Sequence, residues 1–140
     1  MIDVMGALVI ELRSDSGVAA IVGSLNHQVK VWGEEKPEFM PADPRPYVFL
    51  HDLVPTRMKR VPVVMIRFAV TCVGKDHVQA SAIYSAVSDA FHDKGPRIHG
   101  QVGIWRTYED TGGQTVTDPE THWPSKVAIF ECWAATVPMN

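Results

Sequence analysis

The chain has 140 residues, 46% of them apolar, which suits one globular domain covering residues 1–140 and gives no reason to expect a second. Its formal net charge of −3 lacks the basic excess typical of a dedicated nucleic-acid-binding protein. The sequence has neither an apolar run near the ~20 residues of a membrane helix nor a basic flank at residues 1–4 like that of a signal peptide. We therefore expect a soluble protein of a cytoplasm-like setting whose partners are proteins or small molecules.

The first 25 residues predict two helices. Apolar side chains recur there at the spacing of one helix face: Met5, Leu8, Val9 and Leu12. Residues 14–17 interrupt the pattern and offer N-cap side chains for a second, shorter helix. The apolar positions of that second helix are Val18, Ile21, Val22 and Leu25.

Three strands and a long loop are predicted next. Residues 27–32 alternate polar and apolar as a short strand does, and residues 47–50 read as a buried strand. Between them, residues 33–46 hold four prolines, which predict an ordered, extended loop. Residues 55–60 predict a basic turn. Residues 63–73 have the period-2 pattern of a strand with one covered face, with Arg67 and Thr71 on the face opposite this apolar set: Val64, Ile66, Phe68, Val70 and Cys72.

The best helix signal follows this strand. Asp76 is placed to cap a helix, and Gln79 three positions later gives a pattern like the capping box. The apolar stripe of this helix is Ala80, Ile83, Val87, Ala90 and Phe91. Gly95 is expected at the position just after the helix, next to a basic residue and before a proline that stops it.

The rest of the chain predicts two strands separated by a loop. Residues 101–108 form the first strand, with Val102 and Ile104 on one face and Trp105 on the other, and residues 126–137 form the second. Residues 109–125 show no periodic pattern and read as a loop whose length indicates a contact with a partner. The expected fold class is α+β: a mostly antiparallel sheet with a long helix and an N-terminal helix packed on one face.

The sequence lacks the common motifs of catalysis, cofactor binding and metal binding. It contains no phosphate-binding glycine loop, no dinucleotide fingerprint, no H-E-x-x-H and no C-x-x-C. Cys72 and Cys132 lie in apolar strands and read as buried hydrophobic residues. Three serines lie along the predicted helix, away from the strained turn that exposes a catalytic serine, so they do not predict a nucleophile: Ser81, Ser85 and Ser88. We therefore expect a protein that is not an enzyme, with no catalytic, cofactor-binding or metal-binding residue.

Histidine beside aspartate occurs three times, which raises the question of a metal site. The pairs are His51-Asp52, Asp76-His77 and His92-Asp93, with His99 and His122 further along the chain. His77 and His92 lie at opposite ends of the predicted helix, roughly 22 Å apart at ~1.5 Å per residue, so they cannot share an ion. Surface and helix-end roles are the preferred interpretation, with His92 near the negative end of the helix dipole.

Charged groups in predicted loops are read as solvated. They comprise the carboxylate pairs Glu34-Glu35 and Glu109-Asp110 and the basic trio Arg57, Lys59 and Arg60. The trio leaves one alternative open, which is contact with DNA or with an acidic protein surface.

Large aromatic side chains on the second face of the sheet need a cover. Trp105 and Trp133 are predicted on the strand faces opposite the core, and Trp123 lies in the predicted loop. Because the chain has few helices to spare, we expect a neighbouring subunit to cover this face, although a second layer of the same chain is the alternative.

The layout of the chain resembles the tail-terminator (tail-completion) family of long-tailed bacteriophages, prophages and gene-transfer agents. Members begin with a helix interrupted at a short turn, as at residues 14–17 here. A strand then leads through a proline-rich segment to a Pro-Tyr-hydrophobic strand, here residues 29–32 and 46–48. A long strand and an alanine-rich helix follow at residues 63–73 and 79–87, before the closing strands.

This resemblance implies a structural role in the virion. It implies hexameric rings that cap the tail tube, end its polymerisation, and join it to the head–tail connector protein, while DNA passes through the lumen without being read. The partners would be copies of the chain itself, the tail tube protein and the connector, with assembly in the host cytoplasm. The segments 33–46 and 109–125 would make the contacts. The alternatives are another head–tail joining or minor tail protein, or a dimeric ligand-binding or metal-binding domain.

Overall fold

The computed structural model describes residues 4–33, 40–57, 63–92 and 94–136. These residues form three helices and eight strands: α1 Val4–Ser14, α2 Ser16–Val22, β1 Ser24–Leu25, β2 Gln28–Val29, β3 Val31–Trp32, β4 Tyr47–Arg57, β5 Val63–Val73, α3 His77–Phe91, β6 Arg97–His99, β7 Val102–Thr117 and β8 Pro124–Thr136.

Six of the strands form one sheet in the order β3-β4-β5-β8-β7-β6. All neighbours in this sheet are antiparallel except β3 and β4, which run parallel. The helices pack on one face, with α3 over β5, β8 and β7 and α1 near β3 and β4. The predicted fold class, α+β with a mostly antiparallel sheet, is confirmed.

The hydrophobic core lies between the helices and this face of the sheet. Period-2 alternation directs one set of side chains inward from β5 and β8: Ile66, Phe68, Val70, Cys72, Ala128, Phe130, Cys132 and Ala134. Phe91 of α3 lies 5.8 Å from Phe68 and 5.7 Å from Phe130, measured between ring centroids. The alternation predicted for residues 63–73 therefore has the face assignment expected from the sequence. None of the helices in the described ranges has the length and apolar character needed to cross a membrane.

Helix α1 is bonded to both edges of the sheet. The Arg13 Nε donates to the carbonyl oxygen of Val31 in β3 at 2.9 Å. On the other side, Glu11 forms an ion pair with Arg97 of β6, with 2.5 Å between Oε1 and Nε. Since β3 and β6 are the two outermost strands, the sheet curls around the helices until both of its edges reach α1.

The N-terminal helices are as predicted, but the segment after them is not. Asp15 caps α2 and accepts a hydrogen bond from the Val18 amide at 3.0 Å. Leu25, predicted as helical, lies in a two-stranded hairpin instead. His27, predicted as the first strand residue, occupies the hairpin turn with Asn26, and their φ angles are 64° and 51°. Both residues in the left-handed region match the turn type that suits a two-residue hairpin.

Helix α3 begins as the sequence predicts. Asp76 accepts from the Gln79 amide at 2.7 Å, and the Gln79 side chain accepts from the Lys75 amide at 2.7 Å. The predicted end was wrong, because the C-cap is His92 and Gly95 lies beyond it. Lys94 next to Gly95 does not extend the helix but forms a β-bridge with Thr107, which pulls the chain toward β7.

Replacing the N-cap residue of α3 tests the capping assignment. Asp76→Ala leaves the Gln79 amide without its acceptor, and we expect the free energy of unfolding to fall by about 1 kcal/mol. Urea titration followed by circular dichroism measures this change. Asp89→Ala is the matched control, because Asp89 is exposed on the same helix but caps nothing, and an equal loss in both variants would contradict the assignment.

Three further predictions on the strands need correction. Strand β4 continues through Pro55 to Arg57, where a turn was expected, and residues 58–62 lie outside the described ranges. Residues 109–125 are not a loop, because β7 runs to Thr117, β8 starts at Pro124, and only residues 118–123 connect them. Strand β6 was not predicted at all. In the proline-rich segment, residues 40–46 form neither helix nor strand, and residues 34–39 lie outside the described ranges.

Candidate interaction surface

The face of the sheet opposite the helices is its outer face. Along β5 and β8 the side chains of this face alternate with the fully buried side chains of the core. Those of the outer face are half-buried: Met65, Arg67, Ala69, Thr71, Val127, Ile129, Glu131, Trp133 and Ala135. The helices contribute their apolar side chains to the core on the other side. The outer face is therefore the part of the sheet that the described elements leave open.

A charged network occupies the middle of the outer face. Arg67 of β5 donates to Asp110 Oδ2 of β7 at 2.7 Å, and its Nε lies 3.5 Å from Glu131 Oε1 of β8. The Tyr108 hydroxyl donates to Glu131 Oε2 at 2.5 Å, and this hydrogen bond is the main cause of the raised pKa of Tyr108. The network crosses three strands and carries charges of both signs.

Four apolar residues, named here the tryptophan patch, are placed by the strand register on the outer face beside this network: Met65, Ile98, Trp105 and Trp133. Trp133 is paired across the strands with Met65 on one side and with Arg106 on the other. Trp105 is the extra residue at a bulge next to Arg106 and is 51% exposed, while Ile98 on β6 is 63% exposed. The prediction that Trp105 and Trp133 lie opposite the core is confirmed.

Aromatic side chains from three segments meet at another part of the sheet. The rings of Trp32 and Tyr47 have centroids 5.3 Å apart, and those of Tyr47 and Trp123 are 6.4 Å apart. The Arg45 guanidinium lies 4.8 Å above the Trp123 ring. Trp32 is only 2% exposed, so at this end the chain covers its own aromatic side chains. The contacts join the proline-rich segment to residues 118–123, which the sequence did not predict.

The long β7–β8 hairpin is fixed to α3 on the helical side. The Tyr84 hydroxyl of α3 donates to Glu109, and the Lys126 ammonium lies 5.2 Å from the centroid of the Tyr84 ring. Gly113 lies against the same ring, since a Cβ there would lie 2.9 Å from Tyr84 Cζ. The segment read as a partner-binding loop is thus half of an ordered hairpin, and its role as a contact stays a prediction.

A buried ion-pair cluster holds α1 to the β6 side of the molecule. Glu11 accepts from Arg97 Nε at 2.5 Å and from Nη2 at 2.9 Å, and His99 Nε2 lies 2.5 Å from its Oε1. Arg97 Nη2 also donates to the Thr107 hydroxyl at 2.6 Å. Burial raises the pKa of Glu11. The neighbouring Arg97, His99 and Lys94 lower the pKa by more than burial raises it, with Arg97 contributing most, so the pKa of Glu11 lies below its ordinary value of 4.5.

Sequence reasoning missed this cluster. One signal was available, because Glu11 falls three residues after Leu8 and directly beside Leu12 on the apolar stripe of α1. A carboxylate in such a position is seldom buried without a partner. The identity of the partner was not accessible, since Arg97 is 86 residues away and lies on a strand that was not predicted.

The residues considered for chemistry are scattered over the fold. Cys72 and Cys132 are buried and free, as predicted, and burial raises the pKa of each thiol to about 12, which leaves little thiolate at neutral pH. The Ser88 hydroxyl donates to Glu109 Oε2 at 3.4 Å, an arrangement that does not include a histidine as a general base. Asp93, the pair Glu34-Glu35, Lys59 and Arg60 lie outside the described residues.

The histidines are also dispersed. His51 stacks on Phe49 in β4, His77 starts α3, His92 caps its end, and His122 belongs to the connection between β7 and β8. The Glu109 amide donates to His92 Nδ1 at 3.4 Å. Within the described ranges, no three side chains of His, Cys, Asp or Glu lie close enough together to hold a metal ion.

Together these features define a two-layer α+β protein with an open, partly apolar sheet face. No protein-family model matches the sequence, and no curated protein is significantly similar to it. Among solved structures, the chain is similar to a chain of the virion of a native gene transfer agent particle, with a TM-score of 0.71 and 17% sequence identity. The match covers 94% of this chain and 94% of that chain. The two proteins therefore share a fold over nearly their whole lengths.

Proposed function

We propose that the chain is a structural protein of a phage or gene-transfer-agent virion. The observation that carries this proposal is the shared fold with a gene-transfer-agent virion chain, which leaves almost no part of either chain unmatched. Fold alone does not define function. The open outer face adds independent support, because a protein that works by assembly needs surface that its own elements leave uncovered.

Within that class, the role we propose is a tail terminator. The chain would form a ring, with six copies as the expected number, that caps the tail tube, ends its polymerisation and joins the tail to the head connector. The sequence layout supports this reading, since its interrupted first helix and its strand starting at Tyr47 are both present in the fold. The partners would be other copies, the tail tube protein and the connector protein.

No catalytic role is proposed for any residue. The two thiols are buried with raised pKa values, and the carboxylates of the outer face are engaged with Arg67 and Tyr108. In this proposal DNA passes through the lumen of the ring without sequence recognition, in keeping with the net charge of −3. The location would be the tail or neck of the virion, after assembly in the host cytoplasm.

Mass and shape in solution test the ring. We expect light scattering on a sizing column to give a particle of six 15.5 kDa copies, and negative-stain images to show a central hole. A chain that stays monomeric both at high protein concentration and in the presence of tail tubes contradicts the ring. A compact dimer that retains a metal ion or small molecule contradicts the structural role and favours a ligand-binding domain. A ring that binds the connector but not tail tubes indicates another neck protein.

A further inference from the structure

The outer face is large enough for a stable contact between proteins. Strands β4 and β5 are 11 residues long, and β8 and β7 are longer. Four such strands span roughly 36 Å by 19 Å, a projected area of about 700 Å². A specific protein–protein interface of standard size buries about 800 Å² on each partner.

The composition of this face fits a protein partner. Tryptophan, tyrosine, methionine and arginine are the residue types enriched at interface centres, and the tryptophan patch and its surroundings supply all four. The two arginines, Arg67 and Arg106, and the two carboxylates, Asp110 and Glu131, balance in charge. A face with balanced charges does not fit a phosphate backbone, which would require a basic excess.

Exposed apolar side chains also occur on the helical layer, on the opposite side of the molecule. Val78 at the start of α3 is 80% exposed, and Ile10 of α1 is 53% exposed. Exposed apolar side chains on two opposite layers suit a head-to-tail contact, because such a contact joins different surfaces of successive copies. A two-fold dimer would need only one of them.

We propose that the tryptophan patch of one copy packs against the helical layer of a second copy, at Val78 and Ile10. This inference rests on the proposed function, since a closed ring needs a head-to-tail contact. It also adds to that function, because it assigns the two surfaces that meet. The contact removes Trp105 and Ile98 from water on one side and Val78 and Ile10 on the other.

Two double variants test the assignment. The patch variant is Ile98→Glu with Trp105→Glu, and the helix variant is Ile10→Glu with Val78→Glu. All four side chains are more than half exposed, so both variants are expected to fold, which circular dichroism and thermal unfolding verify. We expect each variant alone to be monomeric by light scattering under conditions in which the unmodified chain assembles. Ser24→Glu with Gln28→Glu is the matched control, because both side chains are exposed in the separate β1–β2 hairpin, and it is expected to assemble normally.

Mixing the two variants gives the decisive result. Each keeps one intact surface, so an equimolar mixture is expected to form a dimer of about twice the monomer mass and nothing larger. A patch variant that assembles like the unmodified chain overturns the proposal, as does a helix variant that still assembles. Two monomeric variants that remain monomeric when mixed overturn the head-to-tail pairing. An unmodified chain that forms only dimers contradicts the proposed ring and the head-to-tail pairing. In that case the patch variant still shows whether the outer face makes the contact between the two copies.

Discussion

Gly74→Ala is expected to destabilise the protein by about 3 kcal/mol, which corresponds to a fall in melting temperature on the order of 10 °C. Gly74 is buried between the end of β5 and the N-cap of α3, and its amide donates to the carbonyl oxygen of Pro124 at 3.1 Å. An added Cβ would lie 2.6 Å from the Ala80 amide nitrogen and 2.8 Å from the Asp76 carbonyl oxygen. Both neighbours are backbone atoms, so the first turn of α3 must move to make room.

Gly95→Ala provides the comparison for this variant. A Cβ at Gly95 would meet no atom within 4 Å, and we expect a change in the free energy of unfolding of no more than about 0.5 kcal/mol. Chemical denaturation of both variants measures the difference. If Gly74→Ala is as stable as Gly95→Ala, the close approach of the α3 backbone to Gly74 does not exist in solution.

The elements that the sequence predicted well are those with a strong local period. Helix α3 has an apolar stripe and a capping residue at Asp76, and β5 has an apolar face opposite Arg67 and Thr71, so neither needs distant parts of the chain to be recognised. The core face of β5 followed from the same alternation. Helix α2 was recognised by the capping side chains of residues 14–17, among which the structure has Asp15 as the N-cap.

The β7–β8 hairpin was missed because its stability is not local. The second half of β7, residues 109–117, is mostly Thr, Gly and Gln. It has bulges on both sides of Thr111, and these break the period-2 pattern. Pairing with β8 and the contact of Tyr84 with Glu109 hold it in place instead. Strand β4 was cut short for a related reason, since Pro55 reads as a turn residue. Because β3, within the described residues, pairs with β4 only at Val48 and Phe49, β4 is locally an edge at Pro55, where proline is tolerated.

The candidate surface was predicted in part. Alternation alone assigned Trp105 and Trp133 to the face away from the core, and the structure agrees. Ile98 was absent from that prediction because three-residue strands such as β6 have too few positions to show a period. The polar network of Arg67 and Asp110 was also missed, since it joins strands that are 43 residues apart.

The Glu11 ion pair is the second site where a large effect is expected. Glu11→Gln keeps the shape of the side chain but removes the charge that Arg97 faces from β6. Breaking one partner of a buried pair leaves the other charge uncompensated, and we expect a loss of about 3 kcal/mol in the free energy of unfolding at pH 7. Because this pair holds the β6 edge of the curled sheet to α1, the amides of β6 should also exchange faster with deuterated solvent.

Acid should weaken the same contact. The pKa of Glu11 is lowered in the folded protein, so folding favours its ionised form, and this stabilisation is fully present above the unfolded value of 4.5. It is lost as the pH falls through the lower folded value. The difference in stability between the unmodified chain and Glu11→Gln is therefore expected to shrink as the pH falls below 4.5. Urea titrations at several pH values measure this difference.

A surface pair of the same geometry is the control for Glu11. Asp43 also receives two hydrogen bonds from one guanidinium, both at 2.8 Å from Arg45, but it is exposed to solvent. We expect no measurable change from Asp43→Asn, because exposed ion pairs contribute little. The double variant Glu11→Met with Arg97→Met should recover much of the stability lost in Glu11→Gln, since it leaves no unpaired charge. If Glu11→Gln is no less stable than Asp43→Asn, burial does not strengthen the Glu11 pair, and α1 must be held to β6 by packing alone.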